Sequence, residues 1–95
     1  MDGFRLPPEK MREVATKFIT CAEDMVTTAD MISKSAAELE GDWQGAGSTE
    51  FQNDISQYKV ACDKMVTLLQ ERSKALNSSA QAAEELSTAL TQQWQ

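Results

Sequence analysis

Hydrophobic side chains fall on a seven-residue grid along almost the whole chain. Met11, Phe18, Met25, Ile32 and Leu39 recur every seventh position, and Ala15, Ala22, Ala29 and Ala36 follow the first four of them by four residues. A bulky column beside an alanine column, at a period of 3.5 residues, marks an α-helix that packs along one seam. The alanines make that seam a groove another helix can approach closely, and Val14 and Cys21 widen it on the other side. A second stretch repeats the logic. Ile55, Cys62, Leu69, Leu76, Ala83 and Leu90 stand seven apart. Phe51, Tyr58, Met65 and Leu86 form a second column, broken by Arg72 and Ser79, and Ala61, Leu68, Ala75, Ala82 and Ala89 form a third. Together these columns cover an arc of roughly 120°, wider than the single line of contact that a two-helix pair buries.

The helix breakers bound these two stretches. Every glycine and proline lies in the first eight residues or between Gly41 and Gly47, and inside a helix these residues cost ~1 and ~3 kcal/mol respectively. The spacing predicts one helical-hairpin domain over residues 1–95: a first arm over about 8–40, a turn over about 41–47 and a second arm over about 48–92. Pro7-Pro8-Glu9 suits a helix start, Gly41 a helix end, Gly45 a positive φ that reverses the chain, and Ser48-Thr49-Glu50 a second start. The second arm overhangs the first, and its last turns are expected to fray. The fold class is therefore all-α, an antiparallel two-helix hairpin. Because its apolar arc is too wide for the hairpin alone, two hairpins are expected to pair into a four-helix bundle dimer, the second being identical or a related chain. The seam residues are Met11, Phe18, Met25, Ile32, Leu39, Phe51, Ile55, Tyr58, Met65, Leu69 and Leu76.

Charge and chemistry narrow the function. With 95 residues, 41% hydrophobic content and a net charge of −6, the chain suits one packed helical domain. It is a poor ligand for nucleic acid or an anionic membrane surface. No apolar run approaches the roughly 20 residues of a membrane span, and the opening Met1-Asp2-Gly3-Phe4-Arg5-Leu6 has no Sec-type signal pattern. Export, if it occurs, is expected without a cleaved signal. Cys21 and Cys62 occupy apolar helix positions and are read as small buried side chains. Folding the arms about the turn offsets them by ~10 Å, too far for a disulfide. Histidine is absent, and the two cysteines show no zinc-ligand spacing. The carboxylate pairs Glu23-Asp24 and Glu84-Glu85 are sequence neighbours, splayed on a helix. The glycine-rich Gly41–Gly47 segment has no following Lys-Ser/Thr, so it is not a phosphate loop. No catalytic residue, metal site or cofactor is expected.

The turn has its own character. Glu38, Glu40, Asp42, Glu50 and Asp54 surround it, and no Lys or Arg occurs between Lys34 and Lys59. At its centre stands Trp43-Gln44-Gly45. Physics leaves two roles open for Trp43: a lid packed on Leu39 and Phe51, or an exposed recognition aromatic.

A central Trp-X-Gly between two such arms, with Leu39 four residues before the Trp, Ala46-Gly47-Ser48 after the Gly and Phe51 six after it, resembles a known pattern. It looks like the Trp-X-Gly family of small type VII secretion substrates, the early-secreted-antigen class of mycobacteria and Gram-positive bacteria. The resemblance covers nearly the whole chain. It implies paired helical hairpins exported folded by a type VII membrane ATPase, either as secreted effectors or as co-secreted companions of a larger toxin. It implies further that the Trp-X-Gly of one subunit and the C-terminal tail of its partner form a composite export signal, for which Trp43 and Gly45 are the positions here. The family's tail motif, Tyr-X-X-X-Asp/Glu, is missing: the sole tyrosine, Tyr58, lies in mid-arm with Cys62 four residues on. Leu86, Leu90 and Trp94, spaced by four, form an apolar strip that could substitute, unless a partner supplies the motif. The rival reading is an intracellular helical adaptor or regulatory bundle in which Trp43 is only a lid.

Overall fold

The computed structural model describes residues 7–93. They form two α-helices, α1 over Pro8–Glu40 and α2 over Ala46–Gln93, with no strand among the described residues. Pro8 takes the first helical position, where a missing N–H is no loss, and the Met11 amide donates to the Pro7 carbonyl at 3.1 Å. Threonine disfavours helix interiors because its hydroxyl competes for backbone partners. Here Thr16, Thr20, Thr27, Thr67 and Thr91 each turn the hydroxyl onto the carbonyl four residues earlier, at 2.9–3.2 Å, which satisfies it without leaving the helix.

Packing divides the chain into two compact units, Cys21–Leu68 and the combination of Met1–Thr20 with Leu69–Gln95. In the first, Ala22, Ala29 and Ala36 of α1 are buried, as are Ser48 and Cys62 of α2. Met25, Ile32, Phe51 and Ile55 flank them half-buried. Gln52 reaches across and donates from Nε2 to the Ala36 carbonyl at 2.9 Å. In the second unit Ala15, Ser73 and Ala80 are buried, with Met11, Phe18, Leu69 and Leu76 half-buried around them. The Ser73 hydroxyl donates to the Ala15 carbonyl at 2.9 Å. Arg12 and Glu84 pair on the surface of this unit, while Lys10 and Lys17 both approach Glu13, at 3.6 and 3.3 Å. The Lys17 hydrogen bond, helped by Lys10, holds the Glu13 carboxyl below its ordinary value, and the Arg12 hydrogen bond does the same for Glu84. Such depressed carboxyls stabilise the fold above the ordinary glutamate pKa, a contribution lost as pH falls through the lowered folded value. Both groups are exposed, so the effect is small.

In each unit the helices meet through small side chains. All four alanines of the α1 column are buried, and no large side chain is fully enclosed among the described residues. The bulky column flanks the contact line. On α2 the inward line follows Ser48, Gln52, Ile55, Cys62 and Val66, and then Leu69, Ser73, Leu76, Ala80 and Ala83. Its apolar half is the column led by Ile55. Its other half, Ser48, Gln52, Val66, Ser73 and Ala80, is small or polar at every position but Val66, so the hydrophobic pattern does not reveal it.

Three local expectations are corrected. Cys21 is exposed while Cys62 is buried, both being free thiols; Cys21 lies one residue, or ~100°, from the buried Ala22 and turns away from the seam. The second helix begins at Ala46 rather than near Ser48. Gly45 occupies the capping position, its carbonyl accepting from the Ser48 and Thr49 amides at 3.2 and 3.4 Å, so Ser48 is a buried first-turn residue instead of a cap. The other turn expectations agree with the structure: α1 ends at Glu40, just before Gly41, and Gly45 alone, among the described residues, has a positive φ.

If methyl-sized residues set the helix approach, Ala22→Leu overpacks the seam and lowers stability by ~1–3 kcal/mol, whereas Ala37→Leu on the exposed face changes it by less than about 0.5 kcal/mol. Urea unfolding followed by circular dichroism measures both. Equal effects would contradict the seam.

Candidate functional site

The turn between the helices is built by three backbone devices. The Asp42 and Trp43 amides both fold back onto the Leu39 carbonyl, at 3.0 and 2.9 Å, which closes α1 and fixes Trp43 just beyond it. Gly45 then takes φ 123°, a region that side chains with a Cβ rarely enter. Its carbonyl opens α2 as described above.

Trp43 combines the two roles the sequence leaves open. Its ring centroid lies 5.6 Å from that of Phe51, tilted by 47°, a tilted aromatic contact within the favourable distance range. Yet 40% of the residue is exposed, too much for a lid alone. Gly47, in the first turn of α2, leaves room for the indole: a Cβ there would sit 3.3 Å from Trp43 Cζ2, a tight approach. Sequence reasoning assigned Gly47 no role of its own. The signal was present as a glycine four residues after the tryptophan, inside a helix start where glycine is otherwise unfavourable.

At the turn and the start of α2, a shallow polar recess of about 380 Å³ is lined by Glu40, Gln44, Gly45, Ser48, Thr49, Gln52 and Asn53. It holds one carboxylate with hydroxyls and amides, a set suited to hydrogen-bonding and without an acid–base pair. No group of three or more metal-ligating side chains occurs among the described residues. A second recess, of about 290 Å³, is apolar and lined by Met31, Ile32, Ser35, Ala36, Leu39, Phe51 and Ile55.

The remaining expected site residues scatter along the helices. Leu86 and Leu90 are both exposed on α2, and Trp94 lies outside the described residues. Of the seam set, Met11, Phe18, Met25, Ile32, Phe51, Ile55, Leu69 and Leu76 are half-buried, while Leu39, Tyr58 and Met65 are exposed. A hydrogen bond to the Cys62 thiol pushes the Tyr58 phenol above its ordinary pKa. No described helix is long and apolar enough to cross a membrane.

Comparison with known proteins agrees with this geometry. The family WXG100, described as proteins of 100 residues with WXG, matches residues 3–88. Protein YukE of Bacillus subtilis is 28% identical over 80 residues, covering 84% of this chain and 82% of that protein. The type VII secretion system extracellular protein A of Staphylococcus aureus is 22% identical over 85 residues, covering 90% and 88%. Among solved structures, EsxA of Geobacillus thermodenitrificans superposes with a TM-score of 0.82 at 26% identity, over 93% of this chain and 97% of that one. The secreted protein EsxB of Bacillus anthracis gives 0.78 at 24% identity, over 86% and 88%, a likeness of fold.

The turn geometry predicts a sharp contrast between its glycines. Gly45→Ala is expected to destabilise by ~1–3 kcal/mol, the range for a residue forced into a disfavoured φ/ψ region. Gly41→Ala has open space around its new Cβ and no unusual φ, and is expected to be neutral or slightly stabilising. Urea unfolding of both variants checks this, and a tolerated alanine at Gly45 would contradict it.

Proposed function

This chain belongs to the WXG100 family, and we propose that it is a non-enzymatic small protein exported by a type VII secretion system. The observation that carries this is Trp43: its backbone amide is bonded to the Leu39 carbonyl and its indole packs on Phe51, yet the residue is 40% exposed. An aromatic held rigidly at low entropic cost with one face open is the form of a binding anchor. The S. aureus relative is named as an extracellular type VII protein, which favours export over the intracellular adaptor reading. The single carboxylate of the polar recess at the turn supports a binding role over a catalytic one.

In this reading Trp43 and Gly45 act together, Gly45 setting the turn that presents the indole, and the type VII membrane ATPase is the receptor. Leu86 and Leu90 extend the export surface along α2, with Trp94 continuing their four-residue spacing. The half-buried flanks Met11, Phe18, Met25 and Ile32 are the faces on which a second hairpin, of this chain or a related one, packs to complete a four-helix bundle. The protein then reaches the outside as an effector or as companion to a larger co-secreted toxin.

The test is secretion from a host carrying the cognate system. The native chain is expected in the medium, and in the cells only when the ATPase is deleted. Trp43→Ala is expected to fold with an unchanged circular dichroism spectrum while its secreted fraction falls about tenfold, the scale of one lost aromatic anchor. Truncation after Ala83 is expected to have the same effect. Export independent of the ATPase, or undiminished in both variants, would overturn the reading.

A further inference from the structure

Only one ion pair among the described residues joins the two helices. Lys10 and Lys17 engage Glu13 within α1, whereas Arg12 of α1 pairs with Glu84 of α2. The Ser73 hydroxyl bonds the Ala15 carbonyl, so antiparallel counting sets Arg12 level with Leu76. It sets Pro8, the first residue of α1, level with the fully buried Ala80. Glu84 therefore stands one turn beyond the last point that α1 faces, about 6 Å past Pro8 at 1.5 Å per residue. Arg12 reaches it because helical side chains lean toward the N-terminus of their own helix. In an antiparallel pair that tilt sends Arg12 toward the C-terminal end of α2 and brings Glu84 back to meet it. Their hydrogen bond raises the Arg12 pKa and lowers that of Glu84. Past Ala83, which is half-buried, every described residue of α2 is exposed. The stretch 85–93 runs beyond α1, holds the weak helix formers Ser87, Thr88 and Thr91, and is too short for a helix that stands alone.

We propose that the Arg12–Glu84 pair is a tether that keeps the C-terminal stretch of α2 wound, and so sets the position of Leu86 and Leu90, the exposed leucines of the export surface. Arg12 is then a positioning residue, acting on that surface through Glu84. For its consequence the proposal rests on the export reading; for its structure it rests on the pair alone. A surface ion pair is weak, and in the middle of a packed helix its loss has little effect. Here it is the last hold across the helices, so its effect falls on the residues that follow. Leu86 is 62% and Leu90 47% exposed, and neither buries enough to fix the stretch by itself. Four residues apart, they share one face only while the helix is wound.

Amide hydrogen exchange of the full chain, read residue by residue by NMR, tests the tether. Glu84→Arg sets two cations against each other and leaves helix propensity nearly unchanged. Exchange at the amides of residues 85–88 is expected to quicken about threefold, the scale of one exposed ion pair, with the amides of Ala22 and Ala29 unaffected. Combining Arg12→Glu with Glu84→Arg is expected to restore the native rate. Glu13→Gln, which breaks the pairs within α1, is the control and should leave residues 85–88 as they were. Unchanged exchange in Glu84→Arg, or a swapped pair that fails to restore it, overturns the tether. Secretion through the cognate system gives the second arm: the secreted fraction is expected to fall about threefold in Glu84→Arg and to recover in the swap. Full secretion despite quickened exchange overturns the positioning role. If the native chain itself stays in the cell, the export reading fails, and the exchange rates still decide the tether.

Discussion

One backbone approach governs the rest of the structure. In each packing unit a side chain of α2 reaches past the seam to a main-chain carbonyl of α1: Ser73 to Ala15, and Gln52 to Ala36. Those carbonyls already belong to helical ladders and offer only a second lone pair. A donor from the neighbouring helix can reach it only if the residue carrying it is small. Alanine at 15, 22, 29 and 36 meets that condition at every second turn of the seam. A larger residue at any of them would hold the helices apart and leave the Ser73 hydroxyl or the Gln52 amide unpaired.

The same arrangement explains why so much apolar surface remains uncovered. A seam of methyl groups contributes little, since burying one such group is worth only ~0.8 kcal/mol. The larger side chains that could contribute more, Met11, Phe18, Met25 and Ile32, stand beside the line of contact and are half-covered. Val60, Met65, Leu68 and Leu86 are exposed outright. Lone apolar residues on a surface are ordinary, whereas Met11, Phe18, Met25 and Ile32 repeat every seven residues and leave a half-covered apolar edge beside the seam in each unit. Small residues thus form the contact between the helices, and the large ones stand beside it. Trp43 follows the same rule at the turn, where a glycine at 47 lets one part of the indole lie close while the remainder stays open.

Much of this was legible in the sequence because it is written in periodicity. The alanine column, the helix breakers confined to one internal window and the central Trp-X-Gly gave α1 its limits, located the turn and marked Gly45 as the left-handed residue. What stayed hidden was written in small polar residues. Ser48 and Ser73 are buried, and Gln52 half-buried, on α2 because they bridge to a backbone or sit against a capping glycine, a reason hydropathy does not register. Cys21 misled for the opposite cause: it lies at an apolar-looking position one residue off the true contact line. The exposure of Trp43 could not be decided beforehand either, since it depends on how the indole packs against Phe51 and over Gly47.

The claim beneath this account is that small side chains let α2 touch the backbone of α1. Nuclear Overhauser contacts in the full chain measure it directly. The account predicts cross-peaks between the Ala15 methyl and the Ser73 β-protons, and between the Ala36 methyl and the Gln52 side-chain amide. A folded helical chain that lacks both would contradict it.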